Sequence, residues 1–269
     1  MRNAYVDTSI GQIHVRVSGE GRALILLHWG PATGAQYRFV MPHLASAGFR
    51  CLAFDLPGYG RSCDRPPGWK MADYATCIVE AALAMGVSDC AIVGGHVSAG
   101  VALEMALEGR VTVSRVVLDG LALLTAEESA ELMSRFKHLS PKVRADGGHK
   151  SFVFDSVVTF LREWDPAMAV SDATMPVIHM YMRDLLDANR PPEPSPIVGY
   201  DMAPRLQMAR QPVLCLTADR EPLRACHERG LAHLADGRGH IFAGGHPLHD
   251  ETRAAEYAGV IASFLNEGG

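Results

Sequence analysis

Short hydrophobic runs recur along the chain and are separated by stretches with helical periodicity. Polar and apolar residues alternate at 3–8 and 12–18 around Gly11, which predicts a β-hairpin. The continuous apolar run at 23–28 instead predicts a strand that is buried on both faces of a sheet. The same reasoning predicts five further strands, at residues 49–55, 90–94, 114–120, 212–218 and 239–243.

Helical stretches lie between most of these strands. Their predicted spans are residues 35–47, 71–85, 98–108, 222–235 and 249–265, and Gly109 is a typical residue to end the third. Repeated strand–helix units produce a mostly parallel sheet with helices on both faces. The pattern therefore predicts an α/β protein with an eight-stranded, mostly parallel sheet.

The strand–helix alternation stops between the sixth and seventh predicted strands. Residues 121–205 hold several helical segments, which are broken by the turn-rich stretches at 141–150 and 189–199. We therefore expect residues 1–120 and 206–269 to form the α/β core. Residues 121–205 are expected to form a helical cap, and their many Met and aromatic residues favour an apolar or aromatic ligand.

Composition excludes several classes of partner. The chain has 269 residues, of which 48% are apolar and 20% charged, with a net charge of −5 and no run rich in Lys or Arg. Nucleic acid and membrane are therefore not expected as partners. The expected partner is a small-molecule substrate. No apolar run is long enough to span a bilayer, and the first residues lack the pattern of a signal peptide. Six scattered cysteines without a C-x-x-C pair indicate free thiols and a cytoplasmic location. The oligomeric state stays open, with a homodimer as one alternative.

Polar and catalytic residue types follow the predicted strands. In an open parallel sheet, ligands bind beyond the carboxyl ends of the strands. The segments at these ends are LLHWG (26–30), LAFDLPGYGRS (52–62), IVGGHVSAGVALEMA (92–106), PVLCLTADREP (212–222) and AGGHPLHDE (243–251). In this order and spacing they resemble the α/β-hydrolase fold superfamily over nearly all of the chain outside the expected cap. The resemblance implies that fold, with the cap inserted between strands 6 and 7.

The resemblance also implies a nucleophile elbow, a tight strand-to-helix turn with small residues two positions before and after the nucleophile. Centred on His96, the small positions hold Gly94 and Ser98. Centred on Ser98, they hold His96 and Gly100, which places an imidazole at a crowded position. We therefore expect His96 at the nucleophile position, with Ser98 as the alternative.

Other members of the constellation follow from the same resemblance. His246 matches the catalytic histidine of the superfamily, and Glu221 aligns best with its acid. Asp219 and Asp119 are the alternatives for that acid. The oxyanion hole would be formed by the backbone N–H groups of Val97 and Gly30. Trp29 occupies a position that is usually glycine, so it is a second candidate donor and a candidate pocket wall.

These residues support hypotheses of three classes. The favoured one is an enzyme that uses a His96/His246 pair for ester, lactone or C–C bond hydrolysis, with lyase or isomerase chemistry by the same pair as the alternative. The second is a binding protein that has lost its nucleophile. The third is a metal site formed by both histidines and a carboxylate, and it is the least favoured. No phosphate-binding glycine pattern is present, so we expect no cofactor. We expect no metal either, because the resemblance implies that the acid pairs with the catalytic histidine.

Overall fold

Eight strands form one sheet in the computed structural model, which describes residues 1–136, 142–187 and 199–267. The order across the sheet is β1-β2-β4-β3-β5-β6-β7-β8, and every pair from β4 to β8 is parallel. Strands β1 and β2 form an antiparallel hairpin at one edge, and β2 pairs antiparallel with β4. The strands are β1 (Arg2–Thr8), β2 (Gly11–Ser18), β3 (Arg22–Leu27), β4 (Phe49–Phe54), β5 (Asp89–Gly95), β6 (Thr112–Asp119), β7 (Val213–Ala218) and β8 (Gly237–Phe242). The predicted fold class and all eight predicted strands are confirmed.

The helices between strands lie where the strand–helix alternation predicts them. The helices are α1 (Met41–Ser46), α2 (Met71–Ala84), α3 (Val97–Glu108), α4 (Ala126–Phe136), α5 (Gly148–Trp164), α6 (Met175–Asp187), α7 (Met202–Met208), α8 (Arg224–Leu231) and α9 (Ala254–Asn266). The first and the last differ most in their bounds, and α8 is shorter than the predicted span 222–235. The helix expected at 35–47 is divided into a 3-10 turn, Gly34–Tyr37, and α1. Pro42 lies in the first turn of α1, where its missing N–H costs no helical hydrogen bond.

The start of the last helix also differs from the expectation. Residues Pro247–His249 and Glu251–Arg253 form two short 3-10 turns before α9 begins. The Asp250 side chain accepts a hydrogen bond from the Thr252 N–H at 2.9 Å, which satisfies a donor at the start of the second turn. Residues 243–253 therefore form a compact connection that carries His246 and His249 beside the sheet edge.

Two apolar layers cover the faces of the sheet. Alternate residues of β3 face opposite sides, so that Ile25 and Leu27 pack with α2 and α3, whereas Leu24 and Leu26 pack with α1 and α9. No helix in the described part of the chain is long and apolar enough to cross a membrane.

Helices α4, α5 and α6 lie between β6 and β7, where the sequence predicts an insertion. Val153 and Val157 of α5 pack with Ile178 and Tyr181 of α6, and this cluster includes Ala32 of the loop after β3. The pair α5–α6 therefore contacts one of the loops at the carboxyl edge of the sheet. Residues 137–141 and 188–198, which include parts of both predicted interruptions, lie outside the described residues.

Candidate active site

His96 occupies the sharp turn between β5 and α3. Its backbone has φ 50° and ψ −114°, and it is the only non-glycine among the described residues with a positive φ. Such a conformation is strained for a residue with a side chain and is held by its surroundings. Its N–H donates to the Asp119 carbonyl at 2.8 Å, which fixes the turn against the end of β6. This is the backbone geometry that the elbow pattern predicts for residue 96.

Gly94 and Ser98 are the small residues that allow the turn. A β-carbon at Gly94 would collide with the Ser98 carbonyl oxygen and the Ala102 side chain. Ser98 is fully buried, and its hydroxyl donates to the His28 carbonyl. The structure therefore places Ser98 inside the packing of the elbow and His96 at its apex, where 14% of the imidazole side chain remains exposed.

Glu221 is the hydrogen-bond partner of His96. Its Oε1 lies 3.1 Å from His96 Nε2, and its side chain is fully buried. Its other oxygen, Oε2, accepts from the Thr217 hydroxyl at 2.7 Å and from the Ala218 N–H at 3.3 Å. A carboxylate that accepts these bonds holds the proton of a neutral His96 on Nε2, which leaves the ring lone pair on Nδ1.

Gly120 makes the approach of His96 and Glu221 possible. It follows β6 with φ +71°, and a β-carbon there would collide with both Glu221 Oε1 and the His96 ring. Glycine adopts this φ without strain and presents no side chain. The contact between His96 and Glu221 therefore requires glycine at position 120.

Trp29 packs flat against the imidazole of His96. The ring centroids are 4.0 Å apart and the planes are inclined by 11°. The indole is almost fully buried and also makes edge-to-face contact with His246, with centroids 4.8 Å apart. A β-carbon at Gly95 would overlap the indole, so Gly95 provides the space for this tryptophan.

His246 pairs with Asp119, which corrects the expectation that Glu221 is its partner. Its Nε2 lies 2.8 Å from Asp119 Oδ1, and both side chains are fully buried. The second Asp119 oxygen accepts from the Tyr257 hydroxyl at 2.7 Å, and His246 Nδ1 accepts from the Leu248 N–H at 3.2 Å. Both ring nitrogens of His246 are therefore engaged. Glu221 is joined to His96 because β7 is followed by a tight turn that directs its side chain toward the elbow.

The Asp119–His246 pair has opposed pKa shifts. Burial alone would raise the pKa of Asp119, but the charge of His246 and its hydrogen bond outweigh burial and hold that pKa below its usual value. Burial alone would lower the pKa of His246, but Asp119 and then Glu221 raise it above the usual value. Each partner therefore stabilises the charged form of the other.

Asp219, the other alternative acid, faces away from this cluster. It is exposed, and its carboxylate accepts from the Gly244 N–H at 3.1 Å. The structure therefore brings Glu221 and Asp119 together with the two histidines and leaves Asp219 at the surface.

Asp119, Glu221 and His246 have the geometry closest to a metal site within the described part of the chain. One donor atom from each lies within 4.8 Å of the others, and all three residues are buried. His96 is not a member of this group, whereas the metal hypothesis uses both histidines. The carboxylate oxygens of the group already accept hydrogen bonds from His246, Tyr257, His96 and Thr217, so an ion would have to displace them.

Two backbone N–H groups beside the elbow could receive an oxyanion. Val97 is the first residue of α3, and the first N–H groups of a helix lack an acceptor within the helix. Of the two candidates in the loop after β3, the Trp29 N–H already donates to Gln36 Oε1 at 2.9 Å. Gly30 is therefore the better candidate, and the Val97 side chain lies beside it.

Sequence reasoning missed a hydrogen-bonded network behind Trp29. Gln36 donates from Nε2 to the Tyr181 hydroxyl at 3.0 Å, and that hydroxyl lies 3.0 Å from His249 Nδ1. The His249 ring contacts the Trp29 indole edge-to-face, with ring centroids 4.8 Å apart, so it packs inside this network. Burial and the nearby His246 and His96 lower the pKa of His249 well below its usual value. The GGHPLH motif marks the histidines, but nothing in the sequence indicates that α6 reaches them.

Comparison with known proteins agrees with the fold. Residues 22–155 match the family described as alpha/beta hydrolase fold. The esterase EaEST from Exiguobacterium antarcticum superposes with a TM-score of 0.79 at 17% identity, and the alignment covers 99% of this chain and 100% of the esterase. Bromoperoxidase from Bacillus anthracis superposes with a TM-score of 0.80 at 16% identity and similar coverage. The chain belongs to the α/β-hydrolase fold superfamily.

The sequence relatives include proteins named as hydrolases, and they match over unequal lengths. The chain is 28% identical over 177 residues to AB hydrolase superfamily protein YisY of Bacillus subtilis, an alignment that covers 60% of this chain and 65% of that protein. Over 65 residues it is 42% identical to mouse bifunctional epoxide hydrolase 2, of which it spans 12%. It is 24% identical over 273 residues to 2-hydroxy-6-oxo-6-phenylhexa-2,4-dienoate hydrolase of Comamonas testosteroni, covering 97% of this chain and 93% of that enzyme.

Proposed function

We propose that the protein is a hydrolase-type enzyme that acts on a small carbonyl compound with an apolar or aromatic body, and that His96 is its reacting base. The observation that carries this proposal is the pairing of His96, at the apex of the elbow, with the buried carboxylate of Glu221. The superfamily and its full-length relative from Comamonas testosteroni support the reaction class.

The proposed step uses the lone pair on His96 Nδ1. This nitrogen takes a proton from water, and the water oxygen forms a bond to the carbonyl carbon of the substrate. The carbonyl oxygen gains the displaced electron pair and is stabilised by the N–H groups of Gly30 and Val97. When the tetrahedral intermediate collapses, the bond to the leaving group breaks and the imidazolium returns its proton to that group.

Glu221 and Trp29 both stabilise the imidazolium that this step creates. Glu221 orients the ring and places a negative charge 3.1 Å from Nε2, which is the role that an acid has toward a catalytic histidine. Trp29 stacks on the ring face at 4.0 Å between centroids. The step therefore needs no serine, because water takes the place of the covalent nucleophile.

His246 has a supporting role in this proposal. It is fully buried and engaged at both nitrogens, and its ring lies against the Trp29 indole. The Asp119–His246 pair thereby holds Trp29 against His96. In this proposal His96 is the reacting base, in place of the His96/His246 pair expected from the sequence.

Two variants of the elbow test the proposal. His96→Ala should abolish turnover of a panel of aryl esters, lactones and vinylogous 1,5-diketones, whereas Ser98→Ala should retain it within a few-fold. Full activity of His96→Ala, or labelling of Ser98 by a fluorophosphonate probe, would overturn it. A covalent acyl group on His96, detected by mass spectrometry after acid quenching, would instead show that Nδ1 attacks the carbonyl carbon itself.

Lyase chemistry is the second candidate function. The same lone pair on His96 Nδ1 could remove a proton from the substrate, and Glu221 would stabilise the imidazolium in the same way. Hydrolysis incorporates one oxygen atom from solvent into the product, whereas a lyase step does not. Turnover in ¹⁸O-labelled water, followed by mass spectrometry of the product, separates the two functions.

A further inference from the structure

Tyr59 lies in the turn after β4 and directs its hydroxyl toward the region of Gly30 and Val97. The phenol oxygen is 3.7 Å from the point where a β-carbon of Gly30 would lie. Val97 Cγ2 is 3.9 Å from the same point, on the side of the elbow. The space beside Gly30 is therefore bordered by the Tyr59 hydroxyl and by the side chain of Val97, and the N–H groups of Gly30 and Val97 are the ones proposed to bind the oxyanion.

The backbone around Tyr59 is held in place by hydrogen bonds. The Tyr59 N–H donates to the Leu56 carbonyl at 2.9 Å, and the Tyr59 carbonyl accepts from the Ser62 N–H at 3.2 Å. The phenol ring packs edge-to-face against the buried His28, with ring centroids 5.1 Å apart. His28 in turn precedes Trp29 and Gly30, so the tyrosine is positioned by the loop that it faces.

Asp55 ties the turn of Tyr59 to the loop after β3. Its fully buried carboxylate accepts from the Gly34 N–H at 2.8 Å and from the Arg61 N–H at 3.1 Å. It is also paired with Arg16 Nη1 at 2.7 Å. One carboxylate thereby joins the turn that carries Tyr59 to the loop that carries Gly30.

The Tyr59 hydroxyl makes no hydrogen bond to any of the residues that the structure describes, whereas other phenols of the chain do. Tyr37, Tyr181, Tyr200 and Tyr257 each use their hydroxyl within the protein. Tyr59 is only half-buried, so its O–H is accessible to a ligand at the elbow. A donor that is rigidly held and not used by the fold is suited to a charge that develops only during the reaction.

We propose that the Tyr59 hydroxyl donates a third hydrogen bond to the substrate oxyanion, beside the N–H groups of Gly30 and Val97. This inference rests on the proposed function, because it assigns a further catalytic residue to the same site. No proton is transferred in this role, since the phenol keeps its proton and donates a hydrogen bond throughout.

Tyr59→Phe is the test, because it removes the hydroxyl and keeps the ring that packs on His28. Loss of one oxyanion donor should lower kcat on the order of tenfold to a thousandfold with little change in KM. The matched control is Tyr5→Phe, since Tyr5 is an exposed phenol on β1 at the far edge of the sheet. Equal kcat for Tyr59→Phe and the wild type would overturn the inference.

Benzoate binding keeps the two proposals distinguishable, because it does not require turnover. A carboxylate oxygen in the hole should accept from Tyr59, so calorimetry should show benzoate affinity about tenfold weaker for Tyr59→Phe than for Tyr5→Phe. If that loss of affinity appears while the wild type hydrolyses none of the substrate panel, the role of Tyr59 in the oxyanion hole is supported and the proposed function is contradicted. If the wild type does not bind benzoate, or binds it no more tightly than Tyr59→Phe does, Tyr59 is not an oxyanion donor.

Discussion

Replacement of Glu221 by glutamine reverses the tautomer of His96. Glu221 Oε2 accepts hydrogen bonds from the Thr217 hydroxyl and the Ala218 N–H, so the amide oxygen of the substituted side chain must take that place. The amide NH₂ then faces His96 Nε2, which must accept a hydrogen bond rather than donate one. The ring proton moves to Nδ1, and the lone pair that the proposed step requires is lost.

The loss of charge adds to the effect of the tautomer. Two unit charges 3.1 Å apart attract by roughly 5 kcal/mol at an effective dielectric constant of about 20. If about half of the imidazolium charge has developed in the transition state, the carboxylate contributes about 2–3 kcal/mol, or roughly a hundredfold in rate. The change of tautomer acts in the same direction, so we expect kcat of Glu221→Gln to fall by at least about a hundredfold.

Steady-state turnover and ¹⁵N NMR of the imidazole nitrogens provide the two readouts. Nδ1 of His96 should be unprotonated in the wild type and protonated in Glu221→Gln. Asp219→Asn is the matched control, because Asp219 lies two residues earlier and its carboxylate accepts from the Gly244 N–H, outside the histidine cluster. A Glu221→Gln enzyme within threefold of the wild type, or an equal loss in Asp219→Asn, would refute the reasoning.

Three further outcomes are expected. Gly120→Ala should separate the imidazole and carboxylate at the elbow and abolish activity, because the new β-carbon would overlap both groups; retained turnover would contradict the close packing seen there. His246→Gln should reduce the free energy of unfolding most at low pH. The reason is that Asp119 raises the pKa of His246 above the value of about 6.5 that it has in the unfolded chain. The stabilisation from this pair is therefore complete below that pH and is lost as the pH rises through the folded-state pKa. Urea unfolding of both proteins between about pH 5.5 and 8.5 measures the stability difference. A difference between the wild type and His246→Gln that grows as the pH rises would contradict this pH dependence. Tyr181→Phe should cost about 1–3 kcal/mol in the same assay, because it leaves Gln36 with an unmatched buried donor; an unchanged midpoint would show that this network does not contribute to stability.

The fold could be predicted from the sequence because its signals are local. The apolar run of β3 and the small residues Gly94 and Ser98 each reflect a constraint that acts within a few positions of the chain. The position of His96 at the turn could be predicted for the same reason, because the turn requires small residues two positions before and after its central residue. The bounds of α9 differ because short-range capping by Asp250 competes with helical periodicity.

The pairing of acids and histidines could not be predicted in the same way. Asp119 and Glu221 both follow strands at the carboxyl edge, and the sequence does not show which imidazole each side chain reaches. That choice depends on Gly120, because the absence of a side chain there allows Glu221 to contact His96. Asp119 then pairs with His246. The fit of Trp29 depends likewise on Gly95, a contact between residues distant in sequence.

Alkylation by 2-bromoacetophenone tests most directly that His96 is the reacting base. This probe combines an aromatic body with a carbon that an imidazole nitrogen attacks, which forms a C–N bond and releases bromide. We predict inactivation with one phenacyl group on His96, located by peptide mass spectrometry. Labelling should be much slower in Glu221→Gln, because the lone pair of its imidazole is on Nε2, which faces the amide. Inactivation with the label on another residue, or a fully active protein that carries the label on His96, would contradict the account.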